Sequence, residues 1–223
     1  MNRYNYIAIE GNIGAGKTTL SRKIAEEFNA KLVLEKFDDN PFLPKFYKDP
    51  DKYSFPLELS FLAERYQQLK EEVANQDLFK SFTIADYIFD KCYIFAKTNL
   101  PGDEFELYSK LFSIINPLIP KPELLVYLYL PVEKSLINIA NRGRSYEQEI
   151  TYAYLESVQN GYFEYLKQIQ FQQRILIIDI NNVDFVNDQT NYLSLLDAMN
   201  KEYSFGINRL GIDEEGVFTK ETS

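Results

Sequence analysis

Residues 6–19 read Y-I-A-I-E-G-N-I-G-A-G-K-T-T. A short apolar run ends in a glycine-rich loop, and a helix-forming segment follows. Gly11, Gly16, Lys17 and Thr18 stand at the spacing G-x-x-x-x-G-K-[ST] of a phosphate-binding loop. Glycines let backbone approach a phosphate closely and adopt positive φ. The amides of Asn12, Ile13, Gly14, Ala15 and Gly16, and of the helix start at Lys17, Thr18 and Thr19, then point at the anion. Lys17 adds a point charge for the β- and γ-phosphates, and Thr18 offers its hydroxyl to Mg²⁺. The loop predicts nucleotide binding without saying which chemistry follows.

Outward from the loop, residues 4–10 read as a buried strand and 17–28 as a helix with Leu20, Ile24, Ala25 and Phe28 on one face. Residues 31–35 form a second strand ending at Glu35. Residues 37–51 are irregular, because Pro41, Pro44 and Pro50 prevent one long helix. A long helix is expected over 55–75, with Leu59, Leu62, Ala63, Tyr66, Leu69 and Val73 on one stripe. Glu58 and Arg65 lie seven residues apart on it, two turns along the same face. A third strand, 81–86, ends at Asp86. Strands at 124–130 and 174–180 follow, with helices at 87–99, 105–118, 132–141, 150–170 and 187–202. Strands alternating with helices predict an α/β fold of three layers, α/β/α, around a five-stranded parallel sheet. One domain is expected over 1–205, followed by a loosely ordered acidic tail over 206–223.

Composition narrows the chemistry. The chain has 223 residues and a net charge of −9, which argues against a nucleic-acid surface and against anionic membranes. Histidine is absent, so neither imidazole catalysis nor histidine metal ligation is available. The single Cys92 excludes an intrachain disulfide and a cysteine-cluster zinc site. No signal peptide or long apolar span is evident, so a cytoplasmic location is expected.

Ligands of parallel α/β sheets bind at the carboxyl ends of the strands. Glu35 and Asp86 stand at two such tips. Near Lys17 and a nucleotide, each can accept a proton from an attacking hydroxyl or hold Mg²⁺ directly or through water. Arg142-Gly143-Arg144 follows a helix and suits a mobile flap closing over a transferring phosphoryl group.

In order and spacing, several blocks resemble the deoxyribonucleoside kinases, most closely their bacterial deoxyguanosine kinase branch. The blocks are G-N-I-G-A-G-K-T-T at 11–19, L-E-K-F-D-D-N-P-F-L-P-K-F-Y at 34–47 and Y-S-F-P-L-E-L-S-F-L-A-E-R-Y at 53–66, then I-A-D-Y at 84–87, Y-I-F-A at 93–96 and R-G-R-S-Y-E-Q at 142–148. The resemblance implies ATP and Mg²⁺ as phosphate donor and cofactor, a deoxynucleoside acceptor and a homodimer. It places Glu35 as the general base for the 5′-hydroxyl, Tyr47 and Glu147 at the deoxyribose 3′-hydroxyl, and Phe95 as the aromatic that stacks on the base. Arg65 falls near the exocyclic edge of the base, and Arg142 and Arg144 match lid arginines. Two positions depart from better-known members. Glu58 stands where glutamine often reads the base, and Ala85-Asp86-Tyr87 replaces an acid-Arg-Ser triplet. The second change removes an arginine near the 5′ end of the substrate and leaves Asp86 as a candidate magnesium-side acid.

The exchange at Glu58 has a physical reading. Guanine presents two donors on one edge, N1–H and the N2 amino group, and a carboxylate accepts both. Adenine presents an acceptor at N1, which a carboxylate opposes. Arg65 can donate to guanine O6 and N7, and Lys91 can supplement it or pair with Glu58. The expected function is ATP-dependent 5′-phosphorylation of a purine deoxynucleoside, deoxyguanosine before deoxyadenosine. The less favoured readings are a broader deoxynucleoside kinase, a nucleoside monophosphate kinase and a non-catalytic nucleotide-binding subunit.

Overall fold

The structure, a computed structural model, describes residues 3–37, 40–73, 77–213 and 218–220. Strand β1 (Tyr6–Gly11) is buried along its whole length and forms the axis of the sheet. It pairs in parallel with β3 (Thr83–Ala85) on one side and with β4 (Leu124–Tyr129) on the other. Strand β2 (Lys31–Val33) lies outside β3, and β5 (Arg174–Asp179) lies outside β4, both parallel. The carboxyl ends of β1, β2 and β3 are therefore adjacent, which gathers the phosphate loop, Glu35 and Asp86 at one edge of the sheet.

Side chains of a strand point alternately to opposite faces, and β1 uses this to divide the core. Ile7 and Ile9 join the cluster under α1 (Lys17–Phe28) and α8 (Gln189–Met199). Tyr6 and Ala8 join the cluster under α3 (Pro50–Glu72), α4 (Lys91–Asn99), α5 (Gly102–Ile115) and α7 (Tyr152–Ile169). The expected three-layer α/β arrangement is present, but the sheet has seven strands in the order β2-β3-β1-β4-β5-β6-β7 rather than five. Strand β6 (Gly206–Ile212) pairs in parallel with β5, and β7 (Phe218–Lys220) pairs antiparallel with β6. The expectation of a loosely ordered tail from residue 206 is corrected accordingly. Leu210 and Phe218 are buried against the α8 side of the core, so apolar packing recruits the segment despite its weak alternation. Residues 214–217 and 221–223 of the expected tail lie outside the described residues.

The proline-rich segment is more regular than expected. Pro44 and Pro50 occupy first-turn positions of α2 (Leu43–Lys48) and α3, where a missing N–H is harmless. Helix α3 carries Pro56 inside it and ends at Glu72, and residues 74–75 of the expected helix lie outside the described residues. Its expected stripe is split. Leu62 and Leu69 are buried, whereas Leu59, Ala63 and Tyr66 line an outer cleft with Ile115. The inward face instead carries Glu58, Arg65 and Gln68 among Leu57 and Phe61. Helix α6 (Val132–Arg142) ends at Gly143 and precedes a 3-10 turn, Ser145–Glu147. No helix among the described residues is long and apolar enough to cross a membrane.

The pairing of β6 with β5 makes a stability prediction. Leu210→Ala deletes a buried side chain at about 2–3 kcal/mol, which lowers the thermal midpoint of a chain this size by about 5–10 °C. Calorimetry checks it, and an unchanged midpoint would show that β6 is not part of the cooperative unit.

Candidate active site

The phosphate loop links the end of β1 to α1. Gly14 has φ 86° and a Cβ there would lie 2.7 Å from the Ser135 carbonyl, so both conformation and space require glycine. Gly16 opens α1 at φ 83°, with Phe185 packed against it. The loop is held from three sides. Asn12 accepts from the Ile13 amide at 2.9 Å and donates to the Leu155 carbonyl at 2.8 Å, and Asn138 donates to the Gly14 carbonyl at 2.8 Å. Lys17 donates from Nζ to the carbonyls of Gly11 and Asn12 at 2.9 and 3.0 Å. Burial, reinforced by the charge of Lys91, pulls its pKa down to about 8. It therefore remains mostly protonated at neutral pH.

Glu10, near the end of β1, belongs to no motif in the sequence. It is fully buried and accepts from the Gly11 amide at 3.2 Å, the Ile88 amide at 3.0 Å and the Tyr162 hydroxyl at 2.8 Å. Its carboxyl is pushed up, chiefly by burial. The only sequence signal was its position immediately before the loop.

Glu35 follows β2 and is paired with two buried cations. Arg65 donates to its Oε1 from Nε at 3.0 Å and Nη2 at 2.6 Å, while Lys91 donates to Oε2 at 2.5 Å. All three side chains are less than a tenth exposed. Burial raises the Glu35 pKa, but Lys91 and Arg65 together outweigh it and hold the carboxyl at about 2. The folded value lies below the ordinary one. Its contribution to stability is thus present above about 4.5 and is lost as pH falls toward 2. Gln68, also unforeseen, donates to the Leu34 carbonyl at 2.8 Å and accepts from Tyr87 at 2.9 Å, fixing the turn that aims Glu35.

Asp86 follows β3 and connects the two halves of the site. Its Oδ1 accepts from the Glu35 amide at 2.7 Å, and its Oδ2 accepts a short hydrogen bond from the Thr18 hydroxyl. On the lid side, Glu147 is buried and accepts from Arg142 Nε at 3.1 Å and Nη2 at 2.5 Å, and from Arg144 at 3.4 Å. The Arg144 guanidinium also lies 4.4 Å from the Phe37 ring centroid. Tyr47 stacks on Tyr146 at 6.2 Å, and burial, with Tyr154 and Glu147 nearby, pushes its phenol well up.

The residues expected to face the base lie in different polar settings. Arg65 is committed to Glu35, and its Nη1 lies 3.2 Å from Cys92 Sγ. Among the described residues no hydrogen bond or ion pair joins Glu58 to Arg65 or Lys91. The expected pairing of Lys91 is thus with Glu35 instead, because a carboxylate between two buried cations offsets their desolvation better than a more distant one. Glu58 is 1% exposed and accepts from Asn99 Nδ2 at 2.7 Å. Phe95 is half-buried, edge-on to Tyr162 at 6.3 Å, with the Lys91 ammonium 5.4 Å from its ring centroid.

A phosphate loop beside an ionised carboxylate, with arginines on a following turn, is a site for phosphoryl transfer. Residues 7–203 match the family described as deoxynucleoside kinase. The chain belongs to the deoxynucleoside kinase family. It is 37% identical over 196 residues to deoxyguanosine kinase of Bacillus subtilis, covering 86% of this chain and 94% of that one. It is 34% identical over 187 residues to deoxyadenosine kinase of Dictyostelium discoideum, covering 82% and 75%. The solved deoxyadenosine kinase of M. mycoides with dCMP and a flexible dCDP bound superimposes with a TM-score of 0.74 at 26% identity, covering 87% and 98%. The chain is therefore a kinase, and its family implies ATP as phosphate donor and a nucleoside as acceptor.

Glu35→Gln is expected to lower turnover by about 10²–10⁴ while ATP affinity changes by no more than a few fold. Single-turnover phosphorylation and equilibrium ATP binding test this on the folded variant. Retention of more than about a tenth of the wild-type turnover would remove Glu35 from the reaction.

Proposed function

We propose that the chain transfers the γ-phosphoryl group of ATP to the 5′-hydroxyl of a purine deoxynucleoside, with deoxyguanosine preferred. The P–O bond to the leaving ADP breaks, the bond to the 5′-oxygen forms, and the hydroxyl proton leaves toward Glu35. In a loose transition state, positioning and charge matter more than basicity. A carboxyl held at about 2 suits that role: it is always ionised and always able to accept the hydroxyl hydrogen bond. Lys17 and the loop amides bind the donor phosphates. Arg142 and Arg144, linked through Glu147, supply charge to the transferred group, and Tyr47 with Glu147 takes the 3′-hydroxyl. Phe95 offers the stacking ring, and Arg65 and Lys91 hold Glu35 in place.

Mg²⁺ fits the donor set. It is held typically by one or two carboxylates with substrate phosphates and water, not by an all-protein cage. Among the described residues no group of three or more acidic or cysteine side chains could cage a metal ion, while the Thr18 hydroxyl and Asp86 carboxylate meet directly. These two would hold the ion, which when bound neutralises charge on the β- and γ-phosphates.

The observation that carries the purine assignment is Glu58, a carboxyl sealed in the interior at the position expected to face the base. The similarity to the Bacillus subtilis deoxyguanosine kinase supports guanine. The similarity to the Dictyostelium discoideum deoxyadenosine kinase supports adenine as the second reading. Assay of the protein with ATP, Mg²⁺ and each of the four deoxynucleosides tests the proposal. Both purines should exceed deoxycytidine and thymidine in kcat/KM by at least tenfold, deoxyguanosine leading at neutral pH and above. A pyrimidine preference would contradict it.

A homodimer in the cytoplasm completes the reading. A cleft of about 750 Å³ on α3 is lined by Leu59, Leu62, Ala63, Tyr66 and Ile115, and α5 also exposes Leu111 and Ile114, the latter at 69%. Exposed apolar side chains on two neighbouring helices suit a second copy of the chain. Ile114→Glu is expected to halve the mass seen by sedimentation, and an unchanged mass would move the interface elsewhere.

A further inference from the structure

We propose that Glu58 selects between guanine and adenine by its protonation state, with Asn99 as the residue that positions it. The inference rests on the reading that a purine edge meets Glu58 and deepens it.

The geometry around Glu58 favours neither an ordinary carboxylate nor a simple hydrogen-bonded acid. Asn99, at the end of α4, donates to Oε1. Oε2 is equally buried and has no hydrogen-bond partner among the described residues. A buried carboxylate oxygen without a donor is costly, and a proton on Oε2 relieves that cost. The charged groups nearby do not supply a donor. Arg65, on the same helix, and Lys91, on α4, are both bonded to Glu35. Glu35 itself faces Glu58 as a like charge. Cys92 on α4 is buried and takes Arg65 Nη1. From α5, Tyr108 donates to the Glu58 backbone carbonyl at 3.4 Å, and from α7, Tyr154 faces the carboxyl. Burial, partly offset by Asn99 and then by Arg65 and Lys91, pushes the Glu58 pKa up to about 7. Both forms are therefore populated near neutral pH.

The two forms recognise different bases. An ionised carboxyl offers acceptors only, which match the N1–H and N2–H of guanine and oppose the N1 lone pair of adenine. A neutral carboxyl offers one donor and one acceptor, which match adenine N1 and N6–H. Asn99 occupies one lone pair of Oε1, so the proton resides on Oε2 and the carboxyl presents a fixed register. A site built around a buried polar match can reject a mismatch by orders of magnitude.

The ratio of kcat/KM for deoxyguanosine to that for deoxyadenosine, measured with ATP and Mg²⁺ from pH 5.5 to 8.5, tests the inference. Titrations that act on both substrates alike, such as that of Lys17, cancel in this ratio. It should rise by up to about tenfold per pH unit through neutrality, because kcat/KM for deoxyguanosine climbs with the ionised fraction below a midpoint near 7 and kcat/KM for deoxyadenosine falls with the neutral fraction above it. Glu58→Gln carries one donor and one acceptor at every pH. Its ratio should be flat and at least tenfold more adenine-favouring than wild type at pH 8.5. Asn99→Ala removes a donor that favours the ionised form; it should move both midpoints to higher pH and lower the ratio at a given pH, a change that a purely structural role would not produce. A flat wild-type ratio that Glu58→Gln nonetheless shifts would overturn the protonation switch while keeping Glu58 as base reader. A ratio that Glu58→Gln leaves unchanged would overturn the base reading and the switch with it.

Discussion

The carboxylate of Glu35 is the interaction on which the site depends. It lies buried between Arg65 of α3 and Lys91 of α4, and its own amide is bonded to Asp86 at the next strand tip. Asp86 in turn takes the hydroxyl of Thr18 at the start of α1. Three helices and two strand tips therefore meet through two carboxylates. Breaking a buried ion pair by removing one partner typically costs about 3–5 kcal/mol, because the remaining charge is stranded. That cost holds Glu35 and the phosphate loop in one register, which is what the proposed in-line transfer between two substrates requires.

Burying so many ionisable groups together gives each a different electrostatic setting. Lys17 is drawn down, Glu10 is pushed up, Glu35 is held low by its two cations, and Glu58 is left with an amide donor alone. Carboxyl groups of one region are thereby assigned separate tasks by environment rather than by residue type. The polar network occupies the face of the sheet under α3, α4 and α7. Each face of the sheet also carries its own large hydrophobic cluster, so the polar network is set within apolar packing.

Much of this was legible in the sequence where the signal is local. The phosphate loop is a short-range spacing, and the carboxylates at 35 and 86 follow short strand patterns. Pairing was not legible, because Glu35 and Arg65 are 30 residues apart, and which cation meets which carboxylate is decided by how α3 lies on the sheet. The inward face of α3 was misleading for the same reason. Of its stripe of Leu59, Leu62, Ala63, Tyr66, Leu69 and Val73, only Leu62 and Leu69 are buried, while Glu58, Arg65 and Gln68 are buried beside them. Hydrophobic patterning cannot anticipate polar groups buried by mutual pairing. Strand β6 escaped notice because G-I-N-R-L-G-I has two glycines and weak alternation; its place is set by the open edge of β5 and the burial of Leu210. Asn99 carried no sequence signal at all.

The most direct measurement is a crystal structure of the protein with deoxyguanosine bound. The 5′-oxygen should lie within hydrogen-bond distance of the Glu35 carboxylate, the 3′-hydroxyl beside Tyr47 and Glu147, and the Watson–Crick edge of guanine against Glu58. A nucleoside whose sugar lies away from Glu35, or whose base edge meets neither Glu58 nor its neighbour Asn99, would contradict the assignment of the acceptor site.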